Sequence, residues 1–131
     1  MPYLLDTNTV SDLVRRPQGS VAERIREVGE ADVATSIIVA AELRFGAAKK
    51  RSERLSLQLE AVLGVLEALP FEAPADVAYG AIRARLEKSG QRMGANDLLI
   101  AAQAVSLGFT LVTDDREFDR VQELEIENWL R

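Results

Sequence analysis

Apolar residues fall into short continuous runs and into longer stretches at helical spacing, and the alternation of the two marks the elements. Residues 2–6 (PYLLD) predict a buried strand that ends in a polar turn. A short helix follows over about 8–15, stopped by Pro17 and Gly19, and Val21, Ile25 and Val28 predict a second over 20–29. Residues 32–36 (DVATS) read as a strand, after which Ser36 or a neighbour caps a helix reaching about Lys49. Leu55, Leu59, Val62, Leu63 and Leu66 share one face and predict a helix over 52–67, with a brief strand at 69–71. Pro74 opens a helix carrying Ala78, Ile82 and Leu86, which ends before Gly90. Residues 97–107 are apolar on nearly every side, as in a helix packed on both flanks, and Gly108 stops it. Residues 109–113 (FTLVT) form a strand, and a last short one runs through Leu124 to Glu127. Strands separated by helices call for a parallel sheet covered on both faces. In such sheets chemistry collects beyond the carboxyl ends of the strands, so the polar residues there become the candidates.

Composition narrows the chemistry. The 131 residues, 47% hydrophobic and 28% charged, suit one globular domain over 1–131, with no repeat or linker. No apolar run approaches the roughly 18 residues of a membrane span. The start lacks a basic region and meets Asp6 early, so we expect no signal peptide and a soluble protein of the cytoplasm. Cysteine and histidine are both absent, which removes disulfides, thiolate or imidazole metal sites, cysteine nucleophiles and histidine bases. A metal here must be held by oxygen, which favours Mg²⁺ or Mn²⁺. The net charge of −5 is concentrated in the tail from Asp114, where seven acids face three bases. Arg44 to Arg54 instead carries five bases and one acid, so Arg44, Lys49, Lys50 and Arg51 are candidate RNA-backbone contacts. A solvated face with intrahelical pairs such as Lys49–Glu53 is the plainer reading. Arg83, Arg85 and Lys88 are read the same way. The leucine stripe of 52–67 is core, or else a dimer or partner surface.

Two strands end in carboxylates, at Asp6-Thr7-Asn8 and at Thr113-Asp114-Asp115. Glu42 in IIVAAELRFG and Asp97 after Gly94-Ala95-Asn96 sit in apolar surroundings, where a charge is costly without a partner. Each has an ordinary explanation. Asp6 makes an Asx-turn or a helix cap, Asp97 favours a helix N-terminus, Glu42 pairs with Arg44 or a lysine, and Asp115 caps the DREFDR turn. Together at one sheet edge they would repel one another, and a divalent cation removes that repulsion. Such a centre activates water and steadies a phosphodiester under attack. Thr7, Asn8, Asn96, Thr113 and Asp114 could orient ligands around it.

LLDTN at the start, AELRFG at 41–46, GANDLLIAA at 94–102, LVTDDREF at 111–118 and ENWL at 127–130 together resemble PIN-domain ribonucleases, more narrowly the VapC toxins of type II toxin–antitoxin pairs. The resemblance implies a three-layer α/β/α fold around a parallel sheet of about five strands. It implies a Mg²⁺- or Mn²⁺-dependent endoribonuclease, dimeric, held inactive by a VapB-type antitoxin whose arginine-bearing tail crosses the acidic pocket. Its substrate would be transfer or ribosomal RNA, cut to 5′-phosphate and 3′-hydroxyl ends. The acidic ligands, catalytic and metal-binding alike, map onto Asp6, Glu42, Asp97 and Asp115, with Asp114 an adjacent candidate for the fourth place. Gln103 stands where many relatives have histidine, and Phe45 where many have tyrosine.

Two other classes compete. An aspartate phosphotransfer domain also places Asp at a strand end, but Asp6-Thr7-Asn8-Thr9 lacks the second acid of D-x-D-x-T, and no lysine follows Lys88. A catalytically inactive PIN-like module that binds RNA or protein is the other, and loss of metal dependence would separate it.

Overall fold

The computed structural model describes residues 2–130. Strand β1 (Tyr3–Leu5) leads into α1 (Thr7–Arg15) and α2 (Ser20–Val28), then β2 (Val33–Ser36) into α3 (Ile37–Lys50) and α4 (Glu53–Leu63). Strand β3 (Glu67–Leu69), α5 (Ala75–Lys88), α6 (Ala95–Leu107), β4 (Thr110–Val112) and β5 (Ile126–Glu127) complete the chain. All strand pairs are parallel, in the order β3-β2-β1-β4-β5, so β1 lies at the centre. This is the expected α/β sheet. Its central strands are short and mostly apolar, as a sheet covered on both faces requires, and the buried Thr35 of β2 donates its hydroxyl to the Leu5 carbonyl (2.7 Å).

Local chemistry sets the boundaries. The Ser36 hydroxyl accepts from the Ile38 amide (3.0 Å) to start α3, and Ser52 does the same for the Leu55 amide (3.1 Å) at α4. Gly108 ends α6 in the left-handed region at φ 70°, a conformation glycine adopts without a steric penalty. Helices α1 to α4 pack among themselves, α5 packs along α6, and α3 touches both groups. Leu4, Leu5, Val10, Val39, Ile100, Leu111 and Phe118 are buried at the centre. Among the described residues no helix is long and apolar enough to cross a membrane.

Two expectations are corrected. The helix predicted over 52–67 stops at Leu63, and the strand predicted at 69–71 occupies Glu67–Leu69 instead. Leu66 lies beyond the helix yet is buried, so it continues the apolar pattern across a break the pattern could not show. Pro70 has no amide proton to extend the strand. The pair Lys49–Glu53 does not form. Arg51, at φ 52°, turns the chain between α3 and α4 and puts the two residues on different helices. Of the predicted stripe, Leu59 and Leu66 are buried and Leu55, Val62 and Leu63 are half-buried against the core, while Leu57, off the stripe, is 66% exposed.

Candidate functional site

The parallel register builds one side of the site. Leu5 is the partner of Val112, so the residues that follow, Asp6 and Thr113, emerge side by side at the carboxyl edge. The Asp6 amide donates to the Val112 carbonyl (3.1 Å), and Asp6 Oδ1 accepts from the Thr9 amide (3.0 Å), capping α1. Thr113 Oγ1 donates to Asp6 Oδ2 and accepts from the Asp115 amide (3.0 Å). Asp115 Oδ1 in turn accepts from the Glu117 amide (2.9 Å), capping the 3₁₀ turn Arg116–Arg120. The capping roles considered for Asp6 and Asp115 are therefore real, and one buried threonine ties the two residues together.

Helices supply the other side. Glu42 reaches the site from α3, where Thr7 Oγ1 at the start of α1 donates to Glu42 Oε1 (2.8 Å). Arg44 does not pair with Glu42; its guanidinium grips Glu60 with two bonds of 2.9 Å. Asp97 lies in the first turn of α6, and its carboxylate has no side-chain hydrogen bond or ion pair among the described residues. Burial, then the charges of Asp115, Glu42, Asp6 and Glu117, push its pKa up to about 6 from 3.8. Asp6 is also raised, by burial first; the Thr113 and Thr9 bonds oppose that and the Asp114 charge adds to it.

The four predicted acids thus share one field, centred on Asp97. None of the ion pairs among the described residues involves any of them. The donor set is carboxylate and hydroxyl oxygen with no imidazole, thiolate or cation, which fits a hard divalent ion. As the side chains stand, no three acidic groups among the described residues are close enough to hold one. Both Asp6 oxygens accept protein hydrogen bonds, from Thr9 and Thr113, while Glu42 and Asp115 each use one oxygen, for Thr7 and Glu117, and keep the other without a protein partner among the described residues.

The orienting residues divide. Thr7 and Thr113 bond the acids directly, while Asn8, Asn96 and Asp114 are exposed, and the first two have no side-chain hydrogen bond among the described residues. Of the basic candidates, Arg44 is occupied by Glu60, Lys49 and Lys50 are exposed at the end of α3, and Arg51 is the turn residue. Arg83 pairs with Glu87 and Arg85 with Glu123. Sequence reasoning missed Thr9 and Glu117. Asp6 as an N-cap residue is a helix-start signal, but the bond of Thr9 Oγ1 to the Val112 carbonyl (3.1 Å) needed the fold. Gln103, 1% exposed, donates from Nε2 to the carbonyls of Leu69 (3.1 Å) and Pro70 (3.0 Å), so it anchors the end of β3 and makes no hydrogen bond to the acids.

A model of the PIN domain family matches residues 3–124. The chain is 37% identical to Ribonuclease VapC2 of Rickettsia felis over 98% of both chains. It is 33% identical to the tRNA(fMet)-specific endonuclease VapC of Salmonella typhimurium, again over 98% of both. Among solved structures it resembles VapBC2 from Rickettsia felis bound to a promoter DNA fragment, with TM-score 0.90 and 36% identity over 98% of this chain and 99% of that one. FitAcB from Neisseria gonorrhoeae gives TM-score 0.81 and 31% identity over 96% of each.

Proposed function

We propose that this chain, which belongs to the PIN-domain family and within it to the VapC ribonucleases, is a Mg²⁺- or Mn²⁺-dependent endoribonuclease that cuts transfer or ribosomal RNA as the toxin of a toxin–antitoxin pair. The observation that carries the reading is the meeting of Asp6, Glu42, Asp97 and Asp115 in one field without a cationic partner. A lone structural carboxylate needs no such company, and a cluster of them is a standing electrostatic cost.

Asp6, Glu42, Asp97 and Asp115 would hold the ion. When bound, a divalent ion offsets the charge of a phosphodiester and lowers the pKa of a water. The chain's own contribution is positioning. Thr7 fixes Glu42, and Thr113 fixes Asp6 together with the backbone of Asp115, so the carboxylates approach from set directions. Hydrolysis leaves 5′-phosphate and 3′-hydroxyl ends. The similar Rickettsia felis structure is a VapBC2 assembly, which supports a VapB-type antitoxin as partner here. An acidic pocket of this kind suits an inserted arginine, which carboxylates bind with two charge-assisted hydrogen bonds. We place the protein in the cytoplasm as a homodimer.

The test is cleavage of RNA with Mg²⁺ or Mn²⁺, with and without EDTA, by wild type, Asp6→Asn and Asp97→Asn. Metal-dependent cutting lost in both folded variants is the expected result. Cutting that survives both substitutions would refute the acid-centred mechanism. No cutting by any form would favour a binding module, a reading to which the open arrangement of the acids also lends support.

A further inference from the structure

The segment Glu127-Asn128-Trp129-Leu130 contributes no group to the acids, yet it is built onto the strand beside them. Strand β5 is two residues long and lies at the sheet edge, with Glu127 beside Val112. The chain there accepts two backbone bonds, from the Leu111 amide to the Glu125 carbonyl (2.8 Å) and from the Thr113 amide to the Glu127 carbonyl (2.9 Å). Thr113 is the residue whose hydroxyl joins Asp6 to Asp115, so Glu127 holds its backbone. Two backbone bonds, each weak once exchanged against water, do not keep so short a strand in place. Trp129 supplies the rest of the hold. Its ring is 4% exposed and lies against Tyr3 of β1, with ring centres 5.0 Å apart and Arg24 Cζ of α2 at 5.7 Å. Its carbonyl accepts from Ser20 Oγ (2.8 Å) at the start of α2, and its Nε1 donates to Glu127 Oε1 (2.9 Å).

Resting on the ribonuclease reading above, we propose that Trp129 is a positioning residue for the acid site, acting through Glu127 on Thr113. The indole N–H fixes the Glu127 side chain, and the packed ring and the Ser20 bond fix the chain that follows it. The Glu127 carbonyl therefore stays where the Thr113 amide meets it. Thr113 is buried, so an amide that loses this carbonyl is costly to leave unpaired and the backbone shifts to relieve it. The Thr113 hydroxyl then leaves its place between Asp6 and the Asp115 amide, and the spacing of the two acids changes with it. A misplacement of about 1 Å at a reacting group costs up to about a hundredfold in rate. The competing role is that of a plug for the core, since the contacts of the ring with Tyr3 and Arg24 need no indole N–H.

The experiment compares wild type, Trp129→Phe, Glu127→Gln and Ile25→Ala in two measurements. One is cleavage of unfractionated bacterial RNA with Mg²⁺; the other is residue-resolved amide hydrogen exchange without metal. Trp129→Phe keeps a buried ring and loses the N–H. Its kcat should fall about tenfold with KM within about twofold, and Thr113 amide exchange should quicken about tenfold beyond any change at Leu4 and Ile100. Glu127→Gln still offers the indole an oxygen and should stay within about twofold of wild type on both measures. Ile25→Ala removes core volume beside Leu13 and Val62 and leaves the tail bonds intact. In that variant Thr113 should quicken no more than Leu4 and Ile100, with kcat per folded molecule unchanged. If Trp129→Phe behaves like Ile25→Ala in both measurements, the ring is only a plug and this inference alone is overturned. Faster Thr113 exchange with kcat unchanged overturns it as well, and so does a lower kcat without faster exchange. Absence of cutting by wild type overturns the ribonuclease reading, and the positioning role with it, whatever the exchange shows.

Discussion

Asp97→Asn should make the metal-free protein more stable while abolishing cleavage. The carboxylate is raised from 3.8 to about 6 by burial and by the charges of four other acids. A shift of about two units corresponds to about 3 kcal/mol of cost for the ionised form at neutral pH. Asp97 is only partly buried, so solvent screening reduces this to roughly half. The substitution also removes a favourable charge from the first turn of α6, worth about 0.5 kcal/mol. The net expectation is a gain near 1 kcal/mol, or about 4 °C in Tm for a chain of this size. The pH dependence follows from the direction of the shift. The folded state holds the proton more tightly than the unfolded one, so the cost is absent below about pH 4, grows up to about pH 6 and is complete above it. Thermal unfolding in EDTA at about pH 7.5 and about pH 4 should therefore show an advantage for the variant that largely disappears at the lower pH. Adding Mg²⁺ should raise the Tm of wild type and close the gap. A variant less stable than wild type at neutral pH, with no trend, would refute the reasoning and leave Asp97 as a helix-end charge.

Three further outcomes follow from the hydrogen bonds. Thr7→Val keeps the shape of Thr7 but frees Glu42, so kcat should fall about tenfold with the circular dichroism spectrum unchanged. Thr113→Val removes the hydroxyl shared by Asp6 and Asp115; denaturant unfolding should show a loss of about 1–3 kcal/mol, and cleavage should fall as well. Gln103→Leu strands two carbonyls but also removes a buried Oε1 that has no partner, so the loss in stability should be only about 1–2 kcal/mol. Cleavage per folded molecule should be unaffected, because Gln103 serves β3 and not the acids.

What the sequence determined by itself was the succession of elements and which carboxylates are the candidate acids. Short apolar runs closed by Asp6 and by Thr113-Asp114-Asp115 carry their meaning locally, because a strand buried on both faces must be apolar and its polar residues must wait for the edge. Helix starts at Ser36 and Ser52 and the stop at Gly108 are also local, since a cap is a bond within a few residues. The end of α4 was not legible, because Leu66 is apolar for the core whether it sits on a helix or on the approach to β3. Pairings lay further out of reach. Arg44 joins Glu60 rather than Glu42, Thr7 finds Glu42 across 35 positions, and Thr113 finds Asp6 across 107. These bonds depend on the register of β1 with β4 and on the packing of α1 against α3. Periodicity fixes which face of an element is buried; which partner that face meets is decided only when distant segments pack together.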